Sequence, residues 1–349
     1  MLRNIFTRAD KKKITIAEIL KGTTAGRMQS AGYMQVIPLT SDIEDHYIAA
    51  PDSLKVSTTN YGSMRFENEG DLVTIVPAHA AYVVKQAAQD HAMSHAGLVG
   101  ASTVKSYATA ACVQQSQPGF IKADKYKMLI LPFSLREKAY NIRHTASYQK
   151  LWEPISKFNS SLGVNAQGHL EYFLSRFEKE LDLFVAEFEP VEKQVGAIIL
   201  IDGKVMGIER APNYNYWLSI WPTLIRECYG SLAIEYQKQN GDKKEANVSF
   251  PLEGEISNLE ELKAAMQSAR EKEEAFVKET IRGLITDEFN RESEERTSNY
   301  TLETLSNDQF FGQIVYESDN QINVVYASLV LRDKWDKKRA WHNASPFSI

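Results

Sequence analysis

Cysteine is nearly missing from this 349-residue chain: Cys112 and Cys228 alone cannot build a disulfide framework. Each sits among apolar or small neighbours, so both are expected to be buried free thiols in a reducing compartment. Long apolar runs are missing as well. The longest aliphatic stretch, VGAIILI from Val195 to Ile201, is far too short to cross a bilayer. The opening residues MLRNIFTRADKKK contain no apolar core of signal-peptide length. A cytoplasmic protein without a membrane partner is therefore expected. There is no excess of positive charge either: 40 Lys and Arg against 45 Asp and Glu leave a net charge of −5. That balance argues against general nucleic-acid binding. Arg8 to Lys13 and Arg332 to Arg339 are basic, but short and mixed with acids, and read as solvated ends.

Familiar catalytic signatures are also lacking. The chain has no G-x-x-x-x-G-K-[ST], no G-x-G-x-x-G behind a strand, no G-x-S-x-G and no C-x-x-C. No internal repeat or low-complexity tract appears, which removes solenoids and propellers.

What is present divides into two patterns. From about residue 14 to 135, alternating or apolar runs are separated by Gly, Pro, Asn and Asp. These are Gly32 to Leu39, Ser53 to Asn60, Asp71 to Ala78, Thr103 to Val113 and Tyr126 to Phe133, and they read as mainly antiparallel strands. From about 145 the spacing becomes helical. Ser147 to Gly163 and Gly168 to Phe188 carry apolar residues three and four apart. Leu170, Phe173, Leu174, Phe177, Leu181, Phe184, Val185 and Phe188 form one stripe, read as core. Gln194 to Ala211 reads as a hairpin turning at Asp202-Gly203, a type I′ signal. Tyr214 to Gln237 is helical, with Pro222 expected to kink it or open a second segment. Asn258 to Asn290 is a long charged helix with a potential break at Gly283. Gln309 to Leu331 reads as a second hairpin, and Arg291 to Asp308 as a floppy loop. The fold class is α+β: a mainly antiparallel β half, then a helix-rich half with a glycine-turn hairpin and a C-terminal hairpin.

The chemistry-bearing candidates are few. The stretch QDHAMSH, Gln89 to His95, sets two histidines four apart behind Asp90, a spacing that shares one face of a helix. Ala92 stands where a zinc protease has its glutamate, and a metal site would need a further ligand such as His79 or His46. A partly exposed pair on a short helix or irregular crossover, holding no metal, is the expectation. Cys112 lies in a strand interior and is read as inert packing. Arg210, at a strand end, and Arg226, within a helix, have the character of carboxylate or phosphate binders, though an internal salt bridge is the commoner fate.

Several segments together resemble the ADP-ribosylglycohydrolase- and rhodanese-phosphatase-associated protein domain. This family is known mainly from bacteria and their viruses and is named for its gene neighbours. The match is clearest from Gln149 to Tyr236, and LKGTTAGRMQSAGYMQVIPL (Leu20 to Leu39) resembles the family's opening. The resemblance implies one domain over residues 15–330, with a β-rich part at 15–140 and a helix-rich part at 145–330. Residues 1–14 and 332–349 would be terminal extensions. Members carry a Gly-Ala-Lys-Gln-Asn-Arg run, matched here at VVKQAAQDHAMSH by Lys85 and Gln86. They also carry Cys-Val-Glu-Gln-Gly-Arg-Trp, matched at CVQQSQPGF by Cys112, Val113 and Gln115. Gln114 stands in the glutamate's place, and a neutral amide cannot act as a general base.

What the resemblance implies is a non-catalytic or degenerate binding protein for a nucleotide-like ligand, ADP-ribose or another NAD-derived molecule, in a bacterial or phage conflict setting. Lys85, Gln86, Gln114 and Gln115 are the expected ligand-binding residues, with Arg210 beside them. Lys85 is expected within a small-ligand width of Gln114, lining a concavity. No catalytic residue, metal or cofactor is expected. The alternative is a structural or interaction protein of a bacteriophage or host assembly, working as an oligomer. It would use the aromatic stretch Ala211 to Trp221 and the charged helix at 258–290.

Overall fold

The computed structural model describes residues 13–84, 90–115, 119, 121, 126–241, 248–318 and 323–332. Its backbone is a ten-stranded antiparallel sheet drawing strands from both ends of the chain. Across the sheet the order is Ile14–Thr15, Glu288–Arg296, Tyr300–Ser306, Phe310–Glu317, Val324–Leu331, Lys204–Arg210, Gln194–Ile201, Met34–Thr40 and Thr24–Ala25, with Gln29–Ala31 also on Met34–Thr40. The fold is α+β, as the alternation and helical spacing indicate. The early strands do not form one layer, however. Ile14–Thr15, Thr24–Ala25, Gln29–Ala31 and Met34–Thr40 join the large sheet, and the other early strands build three small sheets.

The hairpin of Gln194–Ile201 with Lys204–Arg210 turns as its Asp-Gly pair requires, with Asp202 at φ 51 and Gly203 at φ 79. All eight residues of Gln194–Ile201 are buried, so this run is a central strand covered on both faces. Two edge strands, Ile14–Thr15 and Thr24–Ala25, are joined by the short helix Ile16–Ile19. The connection passes the middle strands, where the Arg210 guanidinium donates to the carbonyls of Ile19 and Lys21. Arg210 is thus a clamp on this crossing segment, and its charge meets the carbonyl end of a helix turn.

Several expectations are corrected. Arg291 to Asp308 is not a loop: it supplies the strands Glu288–Arg296 and Tyr300–Ser306. Their polar sequence hides a buried edge, because Arg291 and Glu303 pair at 2.6 Å with little exposure. The segment at 168–188 is two helices, Leu170–Arg176 and Glu178–Glu187, broken at Phe177. Leu170, Phe173, Phe177, Leu181 and Phe188 still point inward, so the stripe survives the break, while Leu174, Phe184 and Val185 are only partly covered. The long helix runs Leu259–Leu284 from an Asn258 cap that accepts from two backbone N–H groups and ends one residue past Gly283; Glu288 to Asn290, expected as its last turn, belong to a strand instead. Past Pro222 the helix Tyr214–Thr223 passes into a π-helical turn, Leu224–Tyr229, and then Gly230–Asn240. A proline cannot donate to the preceding turn, and a widened turn is one way a helix absorbs that defect. The aromatic stretch at 211–221 is core rather than surface: Tyr216, Trp217, Ile220 and Trp221 are buried. No helix among the described residues is long and apolar enough to cross a membrane.

At the centre lies a buried charge. Arg136, on the helix Phe133–Asn141, is fully covered and pairs with Glu209 at 2.7 Å. It also donates to His79 Nδ1 at 3.2 Å, Cys228 Sγ at 3.5 Å and Ser328 Oγ. Tyr229, in the π turn, donates to the same Glu209 oxygen at 2.8 Å. Burial works against the Arg136 charge, but Glu209, Cys228 and Tyr229 together outweigh it and hold the guanidinium well above its ordinary pKa. Gly207 makes room for this arrangement, since a Cβ there would meet the Tyr229 hydroxyl at 1.9 Å. His79 sits at φ 61, a conformation side chains other than glycine seldom adopt. Its carbonyl accepts from Leu131 at 3.0 Å.

Removing one partner leaves the other charge buried and unpaired. Arg136→Met or Glu209→Gln is therefore expected to cost about 3–5 kcal/mol in urea unfolding. The double variant should cost clearly less than the sum. Additive losses would show that the two side chains act independently.

Candidate functional site

The polar runs noted in the sequence meet on a small sheet of Lys127–Ile130, Ala80–Val83, His91–Ala92 and Ala111–Cys112. Asp90 immediately precedes the short strand His91–Ala92 and is buried. Its Oδ1 accepts from the Val84 N–H at 2.6 Å, and its Oδ2 accepts from Gln114 Nε2 at 3.0 Å. Its backbone carbonyl accepts from Val113 at 2.9 Å. One carboxyl thus ties Val84, the residue before Lys85, to Gln114. Lys85 and Gln86 themselves lie outside the described residues.

Gln114 is buried, and its Oε1 has no hydrogen-bond partner among the described residues. An amide oxygen left this way carries a desolvation cost of about 1–3 kcal/mol. Gln115 is engaged with the start of the helical layer: its N–H donates to Gly168 O at 2.9 Å and its Oε1 accepts from Gly168 N at 3.0 Å. Beside it, Leu170 N–H donates to Val113 O at 2.9 Å. The strand is thereby extended by the residues that open Leu170–Arg176. Cys112 Sγ donates to Gln114 O at 3.0 Å, and burial pushes its thiol up to about 11. At neutral pH it is a protonated packing group, as its strand setting suggests.

Asp90 differs from an ordinary surface carboxyl. Burial pushes it up to about 7, against the Val84 and Gln114 bonds that pull it down, and Glu171 adds to the rise. The position is within the range where a carboxyl can exchange protons near neutrality. Sequence reasoning passed over Asp90 as a ligand-site residue and weighed it only as a metal donor. No local signal marks it, because its importance comes from Gln114, 24 residues away.

The histidines are not a surface pair on a helix. His91 is fully buried on a strand, and its Nε2 accepts from the Gly62 N–H at 3.0 Å. His95 lies past the strand end, with Nδ1 against Ala96 O and Nε2 3.4 Å from Thr109 Oγ1. A strand turns alternate residues to opposite faces, and the bend between breaks any helical register. His91→Ala should therefore not be silent, since it strands a buried N–H. A loss of about 1–3 kcal/mol is expected.

Arg210 is drawn into the Ile19 and Lys21 clamp and not into hydrogen bonds with Gln114 or Asp90. Arg226 has the internal fate weighed for it, bonding Asp182 at 2.6 Å and Glu227. One set of described side chains has metal-ligand character: His144, Glu292 and Glu294 offer atoms all within 4.8 Å of one another. Arg143 already bridges the two carboxylates, at 2.6 Å to Glu292 and 3.1 Å to Glu294.

The Asp90 carboxyl has a testable pH signature. A carboxyl whose pKa is raised on folding holds its proton more tightly in the folded chain. Its contribution to stability is fullest below about pH 4 and declines as pH rises to about 7. The loss over that window is on the order of 4 kcal/mol. Asn at position 90 can still accept from Val84 and donate to Gln114 Oε1, and it does not titrate. Asp90→Asn should flatten the fall in urea midpoint between pH 4.5 and 7.5, and parallel profiles for both proteins would refute the assignment.

The small sheet, the Asp90–Gln114 junction and nearly all of the ten-stranded sheet fall within residues 22–326, the span matched by a family model. No curated protein and no solved structure matches the chain. By that match the chain belongs to the ARG and Rhodanese-Phosphatase-superfamily-associated Protein domain family.

Proposed function

We propose that the protein binds a nucleotide-like molecule, ADP-ribose or a related NAD-derived compound, without turning it over, in a bacterial or phage conflict setting. The observation that carries this reading is Gln114: a buried amide whose Oε1 lacks a partner among the described residues, held in place through Asp90. An amide so oriented is a preset acceptor for a hydroxyl or amino donor, such as those of ribose and nucleobases. Lys85 and Gln86 follow directly on Val84, which Asp90 holds beside Gln114. On this reading the lysine supplies the charge that meets a phosphate. The thiol of Cys112 is too firmly protonated to serve as a nucleophile, which favours binding over covalent chemistry.

A second reading has its own observation. Leu252, Ile256, Leu259 and Met266 are exposed around the first turns of Leu259–Leu284. Beside them is an open groove of about 430 Å³ lined by residues such as Pro251, Ala265, Ala269 and Lys272. An exposed apolar patch of this kind suits an interaction protein working as an oligomer. Light scattering separates the readings, because ligand binding needs no second copy.

Thermal denaturation with ADP-ribose tests the first reading. Ligand at a hundred times its dissociation constant should add about 2.7 kcal/mol of stability. Lys85→Ala should weaken binding more at low salt than at high, since a point charge is screened by ions. A melting curve indifferent to ADP-ribose and NAD at millimolar concentration would remove the proposal.

A further inference from the structure

We propose that the open groove beside Leu259–Leu284 is a dock for the chain's own basic, tryptophan-bearing segment, residues 333–342. That segment, DKWDKKRAWH, lies outside the described residues. Its sequence alone reads as a solvated end, and the groove supplies the surface that complements it. The inference does not depend on the ligand reading above.

Shape and charge both match. The groove, about 430 Å³, has a floor of small side chains, Ala264, Ala265, Ser268 and Ala269, which share one face of the helix. Small residues there leave a space that a flat, bulky ring fills. Leu252, Ile256, Leu259 and Met266 are exposed nearby, and exposed apolar side chains grouped in this way mark a contact surface. The lining is acidic: Glu253, Glu255 and Glu261, with Lys272 as the one cation among the described residues. Lys272 is already paired with Glu253 at 2.6 Å. The segment has the opposite balance, with Lys334, Lys337, Lys338 and Arg339 against Asp333 and Asp336. A Lys or Arg stem lies readily on apolar surface while its charged end meets a carboxylate. Trp341, directly behind this basic run, supplies the ring.

The described chain also ends within reach of the groove. Val324–Leu331 pairs with Lys204–Arg210, Val330 opposite Gly207, so the chain leaves the sheet at the end where Asp202-Gly203 turns. Val248 and Phe276 lie against that turn, since a Cβ on Gly203 would meet them at 2.6 and 3.9 Å. Phe276 belongs to the same helix as the groove floor. At the helical rise per residue, Ala265 to Ala269 are roughly 10–17 Å further along. Trp341 is nine residues past Arg332, roughly 30 Å of extended chain. It can therefore enter the groove without displacing any described element.

Disulfide trapping in the full chain tests the dock. The native thiols of Cys112 and Cys228 are buried, so an engineered pair reports proximity. Ala340→Cys combined with Ser268→Cys should close a bridge within one chain on mild oxidation. Combined with Gln267→Cys, one residue away but about 100° round the helix, it should close roughly ten-fold more slowly. Both helix positions are exposed, so neither substitution disturbs the core. Trp341→Ala should remove most of the advantage of the Ser268 pair, and so should high salt, which screens the acidic lining. Equal rates for the two pairs, or no response to Trp341→Ala, would overturn the proposal. A bridge formed only between two chains would overturn it as well, and would assign the groove to a second copy.

Discussion

A guanidinium taken wholly out of water is the constraint on which this fold depends. Arg136 can be buried only where acceptors converge, and they come from parts of the chain far apart in sequence. Glu209 comes from the central hairpin, Ser328 from a C-terminal strand, His79 from an early turn and Cys228 from the π turn. The ion pair itself adds little net stability over an apolar replacement, because desolvation offsets attraction. Its effect is to allow one relative placement of these elements, since any other leaves a bare charge inside.

That placement propagates toward the candidate site. His79, held at positive φ, directly precedes the strand Ala80–Val83, which pairs with His91–Ala92. Pairing His91 with Cys112 brings Asp90 within reach of Gln114. The Asp90–Gln114 contact is thus anchored immediately beside the His91–Cys112 pair, and rigid support of this kind is what lowers the ordering cost of binding. Asp90 also changes how the neutral Gln114 is to be understood. The amide does not stand alone, because a carboxyl donated by the neighbouring strand is hydrogen-bonded to it.

Much of the secondary structure was legible because its causes are local. The Asp202-Gly203 turn follows from the cost of positive φ, and the inward stripe at 170–188 from helical spacing. Where local rules misled, the reason lies in long-range pairing. Glu288–Arg296 is mostly polar and charged, and reads as a helix end followed by loop, yet it is a strand because Tyr300–Ser306 pairs along it and Arg291 finds Glu303. QDHAMSH has helical histidine spacing, yet neighbouring strands on both sides supply hydrogen bonds that a helix there would forgo.

The sequence by itself determined the α+β class, the central hairpin, the helical core stripe and the family. Each rests on periodicity, turn chemistry or contiguous similarity, all readable from neighbouring residues. Only the tertiary structure decided that Arg210 clamps a crossing segment, that Arg136 organises the interior and that Asp90 is the partner of Gln114. Those roles depend on which side chains meet across tens to hundreds of residues. A buried charge or amide takes its meaning from what faces it, and no local window contains that information.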